Sequence, residues 1–189
     1  MPRLALIVAS NRPGRVAAPV AEWFTEVARR HGGFDVDVLD LAEIDLPFLD
    51  EPSHPRLRQY EHEHTRAWSE RVGSADAFVI VTPEYNYGMP AVLKNALDYL
   101  HHEWAYKPVA FVSYGGVSAG TRAVQMAKQV VTTLRMFPIA EAVSIPFVFQ
   151  FLDDEQRLVP NDVMDGAAKA VLDELVSVER ALRPLRDAH

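Results

Sequence analysis

A short segment near the N-terminus combines hydroxyl, amide and guanidinium donors: Ser10-Asn11-Arg12-Pro13-Gly14-Arg15. It joins an apolar run, Leu4 to Ala9, to a pattern typical of a helix start. The N–H groups and dipole at a helix N-terminus attract phosphate. Arg12 and Arg15 add charge-assisted donors, and Gly14 allows close backbone approach. The segment therefore predicts a phosphate-monoester site. The alternative is an ordinary strand-to-helix turn with two solvated arginines.

The better-known phosphate loops do not fit this segment. It lacks the Gly-Lys-Ser/Thr ending of a Walker A motif, and Gly14 is its single glycine, which excludes a G-x-G-x-x-G loop. The chain contains no cysteine. A phosphatase loop with a catalytic cysteine, disulfides, thiolate metal sites and iron–sulfur clusters are therefore excluded.

Two later segments also have the composition of ligand-binding loops. The first, Thr82-Pro83-Glu84-Tyr85-Asn86-Tyr87-Gly88-Met89-Pro90, is stiffened by two prolines, and its glycine permits a tight turn. Its N–H groups and aromatic rings suit the edge and the face of a flat ring system. The second, Ser113-Tyr114-Gly115-Gly116-Val117-Ser118-Ala119-Gly120, favours close backbone approach to a flat ligand. The alternatives are half-buried tyrosines in the first and a flexible connection in the second.

Apolar runs alternate with helical patterns along the chain, which predicts one α/β domain over residues 1–189. Predicted strands cover residues 4–9, 34–41, 77–81, 109–113 and 139–145, and residues 42–55 are predicted to be loop. Predicted helices cover residues 17–31, 56–73, 91–102 and 123–134, and a last one begins near residue 161. We expect a doubly wound, three-layer sandwich with a parallel sheet of order 2-1-3-4-5. In such sheets, ligands bind beyond the carboxyl ends of the strands, which is where the three loops lie.

The composition excludes several other classes of function. Acidic residues number 26 and basic residues 19, so the formal charge is -7. That balance disfavours nucleic-acid binding and docking on anionic membranes. No apolar stretch approaches the roughly 20 residues of a membrane span, so we expect a cytoplasmic protein. We predict no metal site, because His62 and His64 are two residues apart on a predicted helix and would point to different faces.

The second loop and the segment after it have a recognisable pattern, Pro83-Glu84-Tyr85-Asn86 followed by Leu93-Lys94-Asn95-Ala96-Leu97-Asp98. This string resembles the NADPH-dependent FMN reductase family, a flavodoxin-like group that includes chromate, quinone and azo reductases. The resemblance extends over about residues 3–150. Ser10 and Arg12 match the family's Gly-Ser-x-Arg-x-x-Ser loop, whereas Ala9 replaces its glycine and Arg15 a position that is often serine.

The resemblance implies non-covalent FMN, with NADPH or NADH as co-substrate and the flavin at the interface of a homodimer or homotetramer. It implies that the FMN phosphate is held by Ser10, Arg12, Arg15, Val16 and Ala17. It implies that the isoalloxazine ring is lined by Pro83, Glu84, Tyr85, Asn86, Tyr87, Ser113, Tyr114, Gly115 and Gly116. No side chain is assigned a catalytic role, since the flavin carries the chemistry.

Two hypotheses of different class follow. The first is an enzyme that passes hydride from a nicotinamide to FMN and on to an acceptor such as free flavin, a quinone, an azo compound, chromate or oxygen. The second is an electron carrier of the flavodoxin type, without a nicotinamide site. The loop arginines and the Pro-Glu-Tyr-Asn string favour the enzyme. A flavin-free domain that binds another phosphate ester is a third hypothesis.

The segment after the third predicted helix bears on assembly. Trp104 and Tyr106 place aromatic rings where a surface would otherwise be polar, which is typical of interface cores. We therefore expect them at a subunit interface. The alternative is that both rings cover the sheet of their own chain.

Overall fold

A parallel sheet of five strands in the order β2-β1-β3-β4-β5 forms the centre of the computed structural model, which describes residues 1–188. Its strands are β1 (Arg3–Val8), β2 (Asp35–Asp40), β3 (Ala77–Pro83), β4 (Pro108–Tyr114) and β5 (Phe137–Ile145). The predicted fold class and strand order are confirmed. β3 extends two residues beyond its predicted carboxyl end, so Pro83 is a strand residue. β4 is one residue longer than predicted at each end, so Tyr114 is also a strand residue.

Helices cover both faces of the sheet. They are α1 (Ala17–His31), α2 (Leu41–Ile44), α3 (Glu63–Gly73), α4 (Ala91–Asp98), α5 (Thr121–Thr133) and α6 (Asp162–Asp187). Single 3₁₀ turns occur at Pro55–Leu57, His102–Trp104 and Val148–Phe151. α1 and α6 pack in one hydrophobic core, and α2 to α5 pack in the other.

The central strands are apolar on both sides because each side faces a core. Every residue of β3 and β4 is buried. Val79 and Val81 of β3 contribute to the core beneath α1 and α6, while Phe78 and Ile80 contribute to the opposite core. This near-continuous burial is the pattern expected of a parallel sheet covered on both faces. No helix among the described residues has the length and apolar content that crossing a bilayer requires.

The prediction of one helix over residues 56–73 is wrong at its start. α3 begins at Glu63, after an extended segment that is held by the Glu51 carboxylate. That carboxylate accepts the N–H groups of Glu61 at 2.8 Å and His62 at 3.0 Å. His62 therefore precedes the helix, and its ring stacks on that of His64 with 5.1 Å between centroids instead of pointing to a different face.

Two neighbouring boundaries also differ from the prediction. α2 occupies the last residue of the predicted strand and the first three residues of the predicted loop, and its start is capped by the Asp40 carboxylate, which accepts the N–H of Ala42 at 3.0 Å. α4 ends at Asp98, four residues before the predicted end.

Trp104 belongs to the core of its own chain. Its side chain is fully buried, with its ring centroid 5.1 Å from that of Phe78. Its indole N–H donates to the carbonyl of Leu97 at 3.2 Å. The prediction that Trp104 lies at a subunit interface is therefore wrong, and the alternative, that it covers its own sheet, holds for this residue.

The amino-terminal edge of the sheet is tied to α6 by Arg186, which a buried carboxylate of the same helix, Glu179, holds in place. Glu179 is 1% exposed and accepts hydrogen bonds from Arg183 at 2.7 Å and Arg186 at 3.1 Å. Arg186 also pairs with Asp76 at 2.9 Å, just before β3. Burial alone would raise the pKa of Glu179, but the two arginines outweigh it and hold the pKa below its ordinary value.

We expect Glu179→Gln to lower the free energy of unfolding at pH 7 by about 2 kcal/mol, since hydrogen bonds to a charged group contribute roughly 1.5–3 kcal/mol. Because the folded pKa is depressed, this contribution is complete above the ordinary carboxyl value of 4.5 and is lost as the pH falls below it. Urea unfolding of both proteins between pH 7 and about pH 3 measures the difference, because the loss occurs below the ordinary carboxyl pKa.

Glu155→Gln is the matched control, because Glu155 is 67% exposed in its ion pair with Arg157. It should change the stability by less than about 0.5 kcal/mol. A Glu179→Gln difference that grows as the pH falls would contradict this account.

Candidate functional site

Three loops meet at the carboxyl edge of the sheet, because the strands that precede them, β1, β3 and β4, are neighbours. The Ser10 hydroxyl of the first loop lies 2.9 Å from the Tyr85 hydroxyl of the second. The Tyr114 side chain, at the end of β4, is buried. The pKa of Tyr114 is raised above its ordinary value, mainly by burial and then by Tyr85, and the opposing effects of Arg15 and Arg12 are smaller. Residues that lie far apart in the sequence therefore act on one another at this edge.

The amino-terminal end of α1 has the features of an anion site. Val16 occupies the capping position without a side-chain hydrogen bond, and the first turn, from Ala17, contains no acidic residue. The first N–H groups of a helix have no partner within the helix. This end therefore keeps its backbone donors and the positive end of its dipole for a ligand.

The two loop arginines differ in their contacts. Arg15 forms a two-fold hydrogen-bonded ion pair with Asp40 at the end of β2, at 2.6 and 2.5 Å, and also donates to the Ser10 carbonyl. Arg12 is exposed, and its guanidinium forms no hydrogen bond or ion pair with the rest of the described chain. Arg15 thus fastens the first loop to β2, and Arg12 keeps an uncompensated charge.

The second loop turns sharply at its tip. Tyr85 and Gly88 exchange two backbone hydrogen bonds of 3.0 Å. Between them Asn86 and Tyr87 adopt φ values of 50° and 69°, as in a type I′ turn. Tyr87 is 73% exposed, and the Arg122 guanidinium stacks 3.6 Å from its ring centroid.

The side chain of Glu84 connects the second loop to the third loop and to α5. It is 7% exposed and accepts hydrogen bonds from the Arg122 side chain at 2.6 Å and its N–H at 3.1 Å. The Ser118 hydroxyl donates to it at 3.2 Å. Sequence reasoning missed Arg122. A cation in the first turn of a helix is unfavourable, because it lies at the positive end of the helix dipole. Arg122 at that position of α5 therefore indicated that a carboxylate compensates it.

The third loop leaves one polar atom without a partner. The Ser113 hydroxyl is buried at the end of β4 and has no hydrogen bond among the described residues. Such orphaned groups are uncommon in proteins. Gly120 closes the loop with φ of 78°, and a Cβ there would lie 2.9 Å from the Tyr114 carbonyl oxygen. The Gly115 N–H donates to the Ile145 carbonyl at 3.2 Å, which holds the loop against the end of β5.

Sequence comparison identifies the family of this chain. The family model for NADPH-dependent FMN reductase matches residues 2–150. An NAD(P)H-dependent FMN reductase of Schizosaccharomyces pombe is 42% identical over 149 residues, which are 77% of this chain and 74% of that protein. A 2-hydroxy-1,4-benzoquinone reductase of a Burkholderia species is 31% identical over 128 residues, 65% of this chain and 66% of that protein.

Comparison of structures shows the same fold. The flavoenzyme NAD(P)H:acceptor oxidoreductase FerB of Paracoccus denitrificans superposes with a TM-score of 0.77 at 19% identity, covering 96% of this chain and 98% of FerB. The extent of the family match and the similarity to the yeast enzyme together assign this chain to the NADPH-dependent FMN reductase family, oxidoreductases that use FMN and take electrons from NAD(P)H.

Proposed function

We propose that this protein binds FMN at the carboxyl edge of the sheet and transfers electrons from NADPH or NADH to a small-molecule acceptor. The observation that carries the proposal is the convergence there of three loops with an uncapped helix N-terminus and the unpaired guanidinium of Arg12. Bound FMN supplies the redox chemistry, accepting hydride from the nicotinamide and giving electrons to the acceptor. The protein supplies position, charge and limited access of water.

The first loop is suited to the phosphate. Arg12 brings a charge that no carboxylate neutralises, and the N–H groups at Val16 and Ala17 lie at the positive end of α1. The Ser10 side chain, fixed by Tyr85, adds a hydroxyl. Because Arg15 is already paired with Asp40, we propose that it shapes the loop and contributes only part of its charge.

The second and third loops are suited to the ring system. The Tyr85 and Tyr87 rings offer aromatic surface and Asn86 offers a backbone N–H, while Pro83, which has no N–H, stiffens the loop. Glu84 acts indirectly by fixing the loop to α5. The orphaned hydroxyl of Ser113 gains a partner if a polar ring atom binds beside it. The remaining proposed contacts are with Tyr114, Gly115 and Gly116.

The proposed acceptors are free flavin, quinones, azo compounds and chromate. Similarity to the Burkholderia quinone reductase supports a quinone among them. The Schizosaccharomyces pombe relative favours the reductase over the flavodoxin-type electron carrier, because it is named for a reaction of NAD(P)H. A cytoplasmic homodimer or homotetramer remains our prediction.

The direct test of the proposed function is spectroscopic and kinetic. Protein purified in the presence of FMN should keep a flavin absorbance after gel filtration and should oxidise NADPH when a quinone is added. Absence of both would contradict the proposal. Retained flavin without NADPH oxidation would instead favour the electron carrier.

We predict ping-pong kinetics. The chain forms a single layered domain, and its phosphate loop has one glycine, so it offers no second dinucleotide fold in which to hold the nicotinamide away from the flavin. The nicotinamide and the acceptor must therefore use one opening in turn. Double-reciprocal plots at several quinone concentrations should be parallel. Intersecting lines, with NADP⁺ non-competitive against the quinone, would mean two simultaneous sites.

We expect Arg12→Ala to weaken FMN binding by about 1.5–3 kcal/mol, which is roughly a tenfold to hundredfold rise in dissociation constant. The reason is the loss of an unpaired charge at the phosphate. Flavin fluorescence quenching at low salt measures the constant. Arg29→Ala is the control, because it removes the same charge from the last turn of α1. Equal affinities of Arg12→Ala and Arg29→Ala would remove Arg12 from the site.

We also expect Glu84→Gln to weaken FMN binding by about 1–2 kcal/mol, since it removes the ion pair that fixes the second loop to α5. Glu63→Gln is the control for the loss of one charge, as Glu63 is 88% exposed. If the effect comes through Arg122, Glu84→Gln combined with Arg122→Gln should be no worse than either change alone. Fully additive losses in affinity would show that Glu84 and Arg122 do not act through their ion pair.

A further inference from the structure

A cavity of about 620 Å³ lies at the amino-terminal edge of the sheet, at the opposite end of the strands from the three loops. It is bounded by the end of α3, the end of α5 and the residues that lead into β4. Its volume is within the range of small-molecule sites. Its wall includes the charged residues Arg56, Arg58, Glu103, Lys107, Arg135 and Arg186.

The wall is strongly positive, although the protein as a whole has a formal charge of -7. Five of the lining residues are Arg or Lys, and one, Glu103, is acidic. The Glu103 carboxylate is 6% exposed and is occupied by hydrogen bonds from Tyr60 at 3.0 Å and Ser69 at 2.9 Å, with Arg58 3.7 Å away. Arg186 is balanced by Asp76 and Glu179.

Three of the cations have no such balance. Within the described residues, no carboxylate lies within 4.0 Å of the charged groups of Arg56, Lys107 or Arg135, and neutral groups are their hydrogen-bond partners. Arg56 donates to the His101 ring at 3.0 Å, and Arg135 donates to the Tyr106 hydroxyl at 3.1 Å. Their charges therefore add to a positive potential in the cavity.

Lys107 is unusual because its side chain is only 4% exposed. Its ammonium donates to the carbonyls of Val72 at 2.9 Å and Gly73 at 3.0 Å, at the negative end of α3. An ammonium has three donors; besides the two carbonyls, the Phe78 ring lies near, with its centroid 5.6 Å from the nitrogen, so no polar group of the described residues takes the third donor. Burial, and then Arg186, lower the pKa of Lys107 to about 8, so the group is still largely charged at neutral pH.

His101 provides a second, independent sign of an unmet interaction. Arginine can only donate, so the contact with Arg56 requires His101 Nε2 to accept and places the ring proton on Nδ1. Nδ1 is buried and has no partner among the described residues. Burial, followed by the charges of Arg56, His102 and Arg135, lowers the pKa of His101, which agrees with a neutral ring in positive surroundings.

We propose that this cavity binds a small phosphate-bearing anion, at a site separate from the flavin. A phosphate group places about two charges and several acceptor oxygens in a small volume, which matches three cations that line one cavity better than a single carboxylate does. Guanidinium groups bind such oxygens in pairs. The cavity is larger than one phosphate, so an organic phosphate also fits. This inference is independent of the proposed function.

The test is isothermal titration calorimetry of the FMN-saturated protein in a phosphate-free buffer, with the loop site filled by flavin. Inorganic phosphate, pyrophosphate and AMP are titrated separately, and sodium chloride at equal ionic strength is the control. We expect saturation at one ligand per chain for at least one of the three phosphates. Tightest binding of AMP identifies an organic phosphate, and equal binding of phosphate and AMP identifies the inorganic group alone as the ligand.

Matched variants locate the binding. Arg56→Gln combined with Arg135→Gln should weaken it at least roughly tenfold, because two charge-assisted contacts are lost. Arg29→Gln combined with Arg66→Gln removes the same charge elsewhere and should leave the affinity within about twofold. NADPH oxidation should be unchanged in both.

Two results would overturn the inference. One is the absence of saturable heat for all three phosphates at about 10 mM, a concentration that detects even millimolar affinities. The other is an equal loss of binding in the two double variants. Failure of the protein to take up FMN would contradict the proposed function alone, and the same titrations on Arg12→Ala protein would then still test the cavity.

Discussion

The parallel pairing of β1 with β3 and of β3 with β4 is the constraint on which the candidate site depends. Because the three strands run side by side in one direction, the loops that follow them meet at one edge. The helices that each connection requires supply the covering layers, and α1 brings its amino-terminal end to the same edge. A change that altered the register of β3 would displace all three loops relative to one another.

Within that frame, ion pairs divide the charged residues of the loops into two groups. Asp40 holds Arg15, and Arg122 holds Glu84, so these side chains determine where the loops lie. Arg12 has no such partner, and the Ser113 hydroxyl has none either. The residues left unsatisfied are the ones with capacity to bind a ligand. The same distinction separates Arg186 from Arg56 and Arg135 at the opposite edge, where the charge is again positive.

Much of the fold could be predicted from the sequence because its signals are local. The apolar runs of β3 and β4 indicate strands buried on both faces, and Asn161 caps α6 by accepting the N–H of Met164 at 2.9 Å, as the predicted start requires. The start of α3 could not be predicted, since it depends on Glu51, which is distant in the sequence from Glu61.

The same limit applies to the site. Residue types and spacing predict which loops form the binding site, and the family pattern predicts its ligand. They do not indicate whether an arginine is paired, because Arg15 meets Asp40, and Glu84 meets Arg122, only after folding. Trp104 is a residue for which composition predicted the wrong environment. An aromatic residue between elements is typical of an interface, but Trp104 is buried in the core of its own chain.

The central claim is that the first loop and the start of α1 hold the phosphate of FMN. Parallel fluorescence titrations of the flavin-free protein with FMN and with riboflavin test it most directly, because the two ligands differ only in that phosphate. The account predicts that FMN binds at least roughly tenfold more tightly, as expected for one or more charge-assisted contacts, and that added salt reduces the difference. Equal affinities for the two flavins would contradict it.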